Sequence, residues 1–385
     1  MEKDLNKNEK IKNPKNKKRT ISNIIFLLCL TILVVTLFLS FGELQSIVDT
    51  ILNIGQSNNW VWLLVAFALA LVYFLLWPLS ICFFAKSSNA ESTFMDSYLI
   101  GCSEHFYNGI TPFSAGGQPF QIYSFSKKGV KASKATGIVL ANFVVFMMVT
   151  NLIALLALIF WNQFTANLNN ITVSGSTFDA NWFIPIAIVG YVINFLVLVF
   201  MFALGLSKKI RNGIIGIVKG LCKIKFLGKH FSKFIPALEE YCDNAQIAFK
   251  EISKNKKAFI LAFISRFFSM VSYYAIPFFI LLAVGINVTA ADFIIVLFGT
   301  SFAITAVVFI PTPGGTGGIE YAFALVLASV ASASLGSAQA VSLIWRLVTF
   351  YFILILSFIA GLIFEASANK YQKKKEIEEA KKNEQ

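Results

Sequence analysis

The chain has 385 residues, of which 57% are apolar, 15% aromatic and only 14% charged, with a mean hydropathy of +0.70. Water-soluble domains are closer to about 45–50% apolar and about 25% charged, so this composition excludes an ordinary soluble domain, a disordered chain and a disulfide scaffold. The net charge of +13 does not indicate nucleic-acid binding, because the basic residues are separated by long apolar stretches. We therefore predict an all-α, polytopic membrane helical bundle.

The charge distribution predicts how the polypeptide passes through the membrane. Three segments contain 26 of the 33 Lys and Arg residues, namely 1–20, 207–257 and 366–385. The loops that contain neither Lys nor Arg are 42–59, 161–181 and 285–292. Because cytoplasmic loops are enriched in Lys and Arg, we expect both termini to be cytoplasmic. The Lys- and Asn-rich composition without eukaryotic targeting signals favours a bacterial plasma membrane.

In chain order, seven apolar stretches are long enough to cross a bilayer once at ~1.5 Å per residue. They are 21–41, 60–84, 137–160, 182–206, 258–284, 290–310 and 337–364. Between the two membrane halves, 21–206 and 258–366, the 207–257 segment is predicted to form amphipathic helices at the cytoplasmic surface. The polar tails 1–20 and 367–385 are predicted to be disordered.

Two apolar segments are interrupted by proline and glycine. Residues 96–126 are flanked by lysines at both ends, which favours a re-entrant hairpin, and residues 311–336 either cross or turn back. We therefore expect about seven to eight spans plus broken or re-entrant helices in two related halves. Interrupted helices at membrane depth require partners from protein or a water-filled cavity, and paired interruptions indicate a binding site near the midplane. Their glycines could cradle a phosphate at a helix N-terminus or only allow tight turns and close packing.

Five charged or titratable residues fall within predicted membrane segments: Glu104, His105, Arg266, Glu320 and Arg346. Arg346 is the strongest candidate for binding a lipid phosphate through its planar fork; the alternative is an ion pair with Glu320 or Glu104. Glu320 is expected in the first turn of a helix, where a carboxylate is stabilising in any case. Glu104 and His105 are adjacent and need not cooperate. Lys127, Lys128, Lys131 and Lys134 either bind phosphates of the inner leaflet or only set the topology.

At these residues the chain resembles the flippase-like membrane domain of the lysylphosphatidylglycerol synthase family. The resemblance rests on residues 108–117 (NGITPFSAGG), residues 311–320 (PTPGGTGGIE) and Trp345-Arg346, and covers about residues 21–366. It implies a bundle in two related halves that moves an anionic or aminoacylated phospholipid between leaflets. Many members have an acidic residue and an arginine after the first glycine pair, where this chain has Gln118-Pro119-Phe120-Gln121. The large soluble aminoacyl-transferase domain of lipid-synthesising members is not expected here.

Together these features favour a lipid translocase over an enzyme, without deciding between them, and predict no catalytic residues, cofactor or metal. The alternatives are a membrane-embedded enzyme acting on a lipid-linked phosphate or sugar, and a non-transporting partner of a cell-envelope enzyme. A homo-oligomer or an envelope-biosynthesis partner stays open. The predicted substrate-binding residues are Glu104, His105, Pro112, Gly116, Gly117, Gln118, Arg266, Pro311, Gly314, Gly315, Gly317, Glu320 and Arg346.

Overall fold

The computed structural model describes most of the protein after residue 58. The described residues are 48–49, 52, 54, 59–111, 114–165, 172–173, 176–177, 183–221, 235–307, 309, 318–330 and 335–383. The predicted tail 1–20 and the apolar stretch 21–41 lie outside this set.

The described residues confirm the predicted all-α membrane bundle. The helices of the first half are α1 (Trp60–Leu76), α2 (Leu79–Ser87), α3 (Phe94–Gly109), α4 (Gly117–Lys127), α5 (Ala132–Ala157), α6 (Trp161–Thr165) and α7 (Phe183–Leu206). Those that follow are α8 (Lys208–Leu221), α9 (Ile235–Lys254), α10 (Lys256–Val284), α11 (Asp292–Val307), α12 (Gly318–Val330), α13 (Leu335–Arg346) and α14 (Phe352–Asn383). A two-residue antiparallel pair, β1 (Thr172–Val173) with β2 (Ser176–Thr177), lies in the loop before α7.

Five helical segments of the described part of the protein are long and apolar enough to cross a membrane. They are Trp60–Ser87, Ala132–Thr165, Phe183–Leu206, Lys256–Val284 and Ser337–Glu379. Two further apolar helices, α11 and α12, are shorter. All five long segments coincide with predicted stretches.

The first long segment contains a break at Trp77-Pro78, between α1 and α2. Proline lacks a backbone N–H and clashes with the preceding turn, so it interrupts an α-helix. Helix α3 crosses at this break, and a Cβ atom built on Gly101 would lie 2.6 Å from Pro78 Cβ. The close approach therefore requires glycine at position 101.

Helices α3 and α4 form a hairpin within the segment 96–126. Thr93 and Asp96 make a capping box at the start of α3, which satisfies the free N–H groups of that helix end. At the end of α4, Lys128 Nζ lies 2.8 Å from Asp96 Oδ1, and Lys127 Nζ lies 2.5 Å from Glu365 Oε2 on α14. The two ends of the hairpin are thus joined to each other and to α14.

Helix α10 is the central helix of the second half. Its N-terminus is capped by the Asn255 side chain, which accepts from the Ala258 N–H at 3.1 Å, and it ends at Gly285, which has a positive φ of 82°. It packs along α1 and also contacts α2, α5, α11 and α13. Buried apolar side chains form two clusters, one around α1 and α10–α13, the other around α2, α5 and α9. Trp77 belongs to the first cluster and Ile81, one turn later, to the second, so the break lies where the clusters meet.

Helices α8 and α9 occupy the predicted amphipathic segment 207–257. Helix α9 packs on α5, and Gly137 and Gly205 allow close contact with its Ala248 and Phe249. Helix α8 is joined to α9 by ion pairs of Arg211 with Asp243 and of Lys219 with Glu239. Two of the basic residues of α8 are thus paired with acidic residues of α9.

The prediction of a disordered C-terminal tail is wrong for residues 367–383. Helix α14 continues to Asn383. Two exposed pairs at helical spacing, Lys374–Glu378 and Lys375–Glu379, have N···O distances of 3.8 Å. Such i,i+4 pairs stabilise a helix weakly, so the abundance of Lys and Glu that resembled a disordered tail also suits an exposed helix.

Candidate functional site

Trp77, at the break between α1 and α2, is the centre of a buried polar cluster. Its indole Nε1 donates a hydrogen bond to Glu104 Oε2 at 2.8 Å. The guanidinium carbon of Arg266 lies 3.7 Å from the centroid of the Trp77 ring, within the range of a cation–π interaction. The carboxylate therefore lies at the edge of the indole and the guanidinium on its face. We call Trp77, Glu104, His105, Gln121 and Arg266 the Trp77 cluster.

Glu104 is supplied by α3 and is held by the hairpin. The residue is 4% exposed, and its Oε2 also accepts from Gln121 Nε2 of α4 at 2.9 Å. Helix α4 packs closely against this side chain at Gly117. A Cβ atom on residue 117 would lie only 2.7 Å from Glu104 Cγ, so the contact needs a glycine there. The hairpin thus brings Glu104 and Gln121 to Trp77.

Arg266 comes from α10 in the second half of the chain and is completely buried. Its Nη2 donates to Ser80 Oγ at 2.6 Å and to Asn142 Oδ1 at 2.9 Å. Among the described residues, no carboxylate oxygen lies within 4.0 Å of its guanidinium nitrogens. A buried cation is therefore held by neutral oxygens and an aromatic face.

Four polar atoms of the Trp77 cluster are buried without a hydrogen-bond partner in the described structure. They are Arg266 Nε, Arg266 Nη1, His105 Nε2 and Gln121 Oε1. Native proteins satisfy the large majority of buried polar atoms, and each unsatisfied one costs about 1–3 kcal/mol. Four such atoms around one tryptophan indicate a place that can accept a polar ligand.

An aromatic path connects the Trp77 cluster to the second half. The His105 ring centroid lies 4.5 Å from that of Trp77 and 5.2 Å from that of Tyr73. The Tyr73 and Tyr273 centroids are 4.8 Å apart, and those of Tyr273 and Trp345 are 5.5 Å apart. Glu104 and His105, which are adjacent in sequence, both contact Trp77.

Arg346 and Glu320 form a separate buried pair. Arg346 Nε lies 2.5 Å from Glu320 Oε1, and the two side chains are 6% and 8% exposed. Glu320 lies in the first turn of α12, as predicted. Arg346 ends α13, where a π-helical segment, Leu347–Tyr351, leads into α14. The ion pair with Glu320, one of the two roles that the sequence left open for Arg346, is thus present, and phosphate binding by Arg346 stays a prediction.

At the first interruption, protein side chains satisfy the glycine N–H groups. Gly116 donates to Thr111 Oγ1 and Gly117 donates to Asn108 Oδ1, both at 2.8 Å. Gln118 is half-buried, and Gln121, one turn later, is the glutamine that contacts Glu104. The other predicted residues, Pro112, Pro311, Gly314, Gly315 and Gly317, lie outside the described residues.

Lysines at the end of α4 and after it make contacts within the protein. Besides the pairs of Lys127 and Lys128, Lys134 Nζ donates to the Asn89 carbonyl at 2.9 Å. Burial alone would raise the pKa of Asp96, but hydrogen bonds from Lys128 and Thr93 and the charge of Lys128 lower it overall. Burial likewise lowers the pKa of Lys127, and the hydrogen bond and charge of Glu365 outweigh this effect and raise it. These lysines therefore attach the hairpin to its neighbours.

Comparison with known proteins places this arrangement in a family. The family model described as lysylphosphatidylglycerol synthase TM region matches residues 23–357. An uncharacterized protein of Mycoplasma pneumoniae is 32% identical over 115 residues, which are 29% of this chain and 28% of that protein. A UPF0104 membrane protein of Archaeoglobus fulgidus is 33% identical over 90 residues, which are 23% of this chain and 27% of that protein.

A longer alignment links the chain to an uncharacterized protein of Mycoplasma genitalium, 25% identical over 206 residues, which are 51% of this chain and 48% of that protein. The alignments thus span less than half the length of each of these three relatives. No solved structure matches the chain significantly.

Proposed function

Because the chain belongs to the family of the lysylphosphatidylglycerol synthase transmembrane region, we propose that it is a lipid translocase. It moves an anionic or aminoacylated phospholipid, or a related lipid-linked headgroup, between the leaflets of a bacterial plasma membrane. The acyl chains remain in the bilayer, and only the headgroup passes through a polar path between the two halves of the bundle.

The observation that carries this proposal is the Trp77 cluster. A charged side chain at the centre of a bilayer costs about 2.5–3.5 kcal/mol on insertion scales, and such residues mark substrate pathways. Arg266 and Glu104 are both at most 4% exposed and lie among apolar helices. A translocase needs a buried polar site of this kind, because the headgroup loses its contacts with water on one side of the membrane before it reaches water on the other side.

The hairpin α3–α4 supports this path. Its helices have 16 and 11 residues, shorter than the roughly 20 residues that span a bilayer. We propose that the hairpin enters from the cytoplasmic side, and that the basic segment 207–257 and both termini lie on that same side. The Asp96–Lys128 pair is then at the cytoplasmic surface, and Glu104, two turns further along α3, lies within the membrane.

The test is leaflet-resolved transport in proteoliposomes. The full chain is reconstituted with a phosphatidylglycerol labelled on one acyl chain, and the outer-leaflet label is destroyed by an impermeant reductant. We expect the protein to raise the rate at which inner-leaflet label becomes accessible, relative to protein-free vesicles. Glu104→Gln is expected to lower this rate several-fold, whereas the matched control Glu376→Gln, on the exposed part of α14, retains it.

The alternatives make different predictions in the same vesicles. A membrane-embedded enzyme would convert a lipid-linked phosphate or sugar into a product that mass spectrometry detects. A non-transporting partner of an envelope enzyme would leave the reductant-accessible fraction equal to that of empty vesicles. Either result, with folded protein, would contradict the translocase proposal.

A further inference from the structure

Two arginines are buried in the described part of the bundle, and their surroundings differ. Arg346 lies 2.5 Å from the Glu320 carboxylate, which neutralises its charge. Arg266 is fully buried, its hydrogen-bond partners among the described residues are Ser80 and Asn142, and the rings of Trp77 and Phe146 lie against it. The charge of Glu104 acts on it, but no ion pair within 4.0 Å joins the two described side chains. Buried charged side chains are almost always paired in native proteins, so the two sites are not equivalent.

The donor count of Arg266 shows what is left to bind. A guanidinium has five N–H donors. The Nη2 atom uses its two on Ser80 and Asn142, while the Nε and Nη1 atoms, which carry the other three, have no partner in the described structure. Oxyanions such as phosphate are the ligands that guanidinium donors match best.

The surroundings hold the guanidinium in place. Ser80 Oγ itself donates to Asn142 Oδ1 at 2.5 Å, so the two oxygens that receive Nη2 are fixed by each other. The Trp77 ring covers one face of the guanidinium. This preorganisation leaves the three free donors in a fixed direction, which lowers the entropy lost on binding.

We infer that Arg266, and not Arg346, binds the anionic group of the ligand, and that this group is a phosphate ester with a free oxyanion edge. The inference rests on the proposed function and names the residue that receives the headgroup. His105 Nε2, which is buried without a partner in the described structure beside the same tryptophan, is a second polar atom available to the ligand. The Arg346–Glu320 pair joins α13 to α12 and takes no part in binding.

Binding is measured without transport. The purified full chain in uncharged detergent is titrated with dihexanoylphosphatidylglycerol, dihexanoylglycerol and inorganic phosphate, and thermal stabilisation and tryptophan fluorescence are recorded. We expect saturable stabilisation by the phospholipid and none by the phosphate-free lipid. Equal effects of the two lipids on the wild-type protein would overturn the inference whether or not any variant folds.

The variants then locate the site. Arg266→Gln is expected to weaken phospholipid binding at least about tenfold, the loss of one or more charge-assisted hydrogen bonds. The matched control Arg211→Gln, on α8, leaves the affinity unchanged. If the Arg266→Gln variant is unstable, Arg266→Lys is used instead. It keeps the positive charge, and we expect it to bind the phospholipid more weakly than the wild type but more tightly than Arg266→Gln. Unchanged affinity in both Arg266 variants, or a tenfold loss in Arg346→Gln with none in Arg266→Gln, would contradict the assignment.

These results separate the inference from the proposed function. Phospholipid binding that depends on Arg266, without transport in vesicles, would support the site and reject the translocase. Inorganic phosphate binding as tightly as the phospholipid would support the anion site and reject a lipid ligand. Transport that is insensitive to both Arg266 variants would support the translocase and reject the site.

Discussion

Trp77 and Arg266 come from different halves of the chain, and the guanidinium carbon of Arg266 lies over the Trp77 ring, 3.7 Å from its centroid. The same indole donates its N–H to Glu104. One side chain thus contacts the two charged residues of the buried cluster, on its face and on its edge. A substitution of Trp77 that keeps the ring contact with Arg266 but removes the hydrogen bond to Glu104 therefore separates the effects of these two contacts.

Trp77→Phe keeps an aromatic face for Arg266 and removes the N–H that Glu104 accepts. We expect a loss of about 1–3 kcal/mol in the free energy of unfolding, because a buried carboxylate loses one of its donors. Unfolding in mixed micelles measures this change in the free energy of unfolding. We also expect the rate of lipid transport by the Trp77→Phe variant to be lower than that of the wild type. Trp60→Phe, at a half-exposed position at the start of α1, is the matched control and should change neither quantity.

Breaking the Arg346–Glu320 pair should lower the free energy of unfolding of the bundle and leave the phospholipid affinity of the folded protein unchanged. We expect Arg346→Met to cost about 3–5 kcal/mol, because it leaves a buried carboxylate without its cation. The double variant Glu320→Gln/Arg346→Met should cost less than the sum of the single changes. A double-mutant cycle measures the difference, and additive effects would show that the pair is not coupled.

Gly101→Ala tests the crossing of α3 at Pro78. The added Cβ would lie 2.6 Å from Pro78 Cβ, so the helices must separate, at a cost of about 1–3 kcal/mol. Gly361→Ala is the control, because its Cβ would meet Ser103 of α3 at an ordinary 3.5 Å. In a helix interior this second change should be neutral or stabilise by up to about 1 kcal/mol. Equal melting temperatures of the two variants would contradict the close contact.

The Asp96–Lys128 pair predicts an acid-sensitive hairpin. The pKa of Asp96 is lowered in the folded protein, so its contribution to stability is complete above the ordinary aspartate pKa of about 3.9. It is lost as the pH falls through the lower folded value. Melting temperatures between pH 6 and pH 3 should fall less steeply for Asp96→Asn than for the wild type. Parallel curves for the two proteins would count against this role of the pair.

The sequence predicts the spans well, because a stretch of about 20 apolar residues has few other stable arrangements. The first interruption was also predictable from its proline and glycines, and the structure has a helix break between Gly109 and Gly117. That the chain returns to the same side of the membrane stays a prediction from the lysines at both ends of 96–126. Arg266 and Glu104 could be recognised as rare charges at membrane depth, and the pairing of Arg346 with Glu320 was one of two stated alternatives.

The partners in the Trp77 cluster could not be predicted. Trp77 lies inside an apolar stretch, where a tryptophan looks like any other large core residue. Ser80, Asn142 and Gln121 are polar, but which of them meets Arg266 or Glu104 depends on how α2, α4 and α5 cross. Those crossings are set by contacts such as Gly101 on Pro78, which connect residues far apart in sequence. A polar residue inside an apolar helix, as at Asn142, is a signal from which a buried hydrogen-bond partner could have been predicted.

The position of Arg266 on α10 has a consequence for biosynthesis. Ser80, Asn142 and Trp77 are all synthesised before it. The residues that contact the Arg266 side chain are therefore present in the chain before Arg266 itself is made. When α10 enters the bilayer, its arginine can exchange hydrogen bonds with water for hydrogen bonds with Ser80 and Asn142. The membrane insertion of α10 thus depends on side chains more than a hundred residues earlier in the sequence. Docking of α10 against the first half therefore completes both the packing of the two halves and the contacts of Arg266 with Ser80, Asn142 and Trp77.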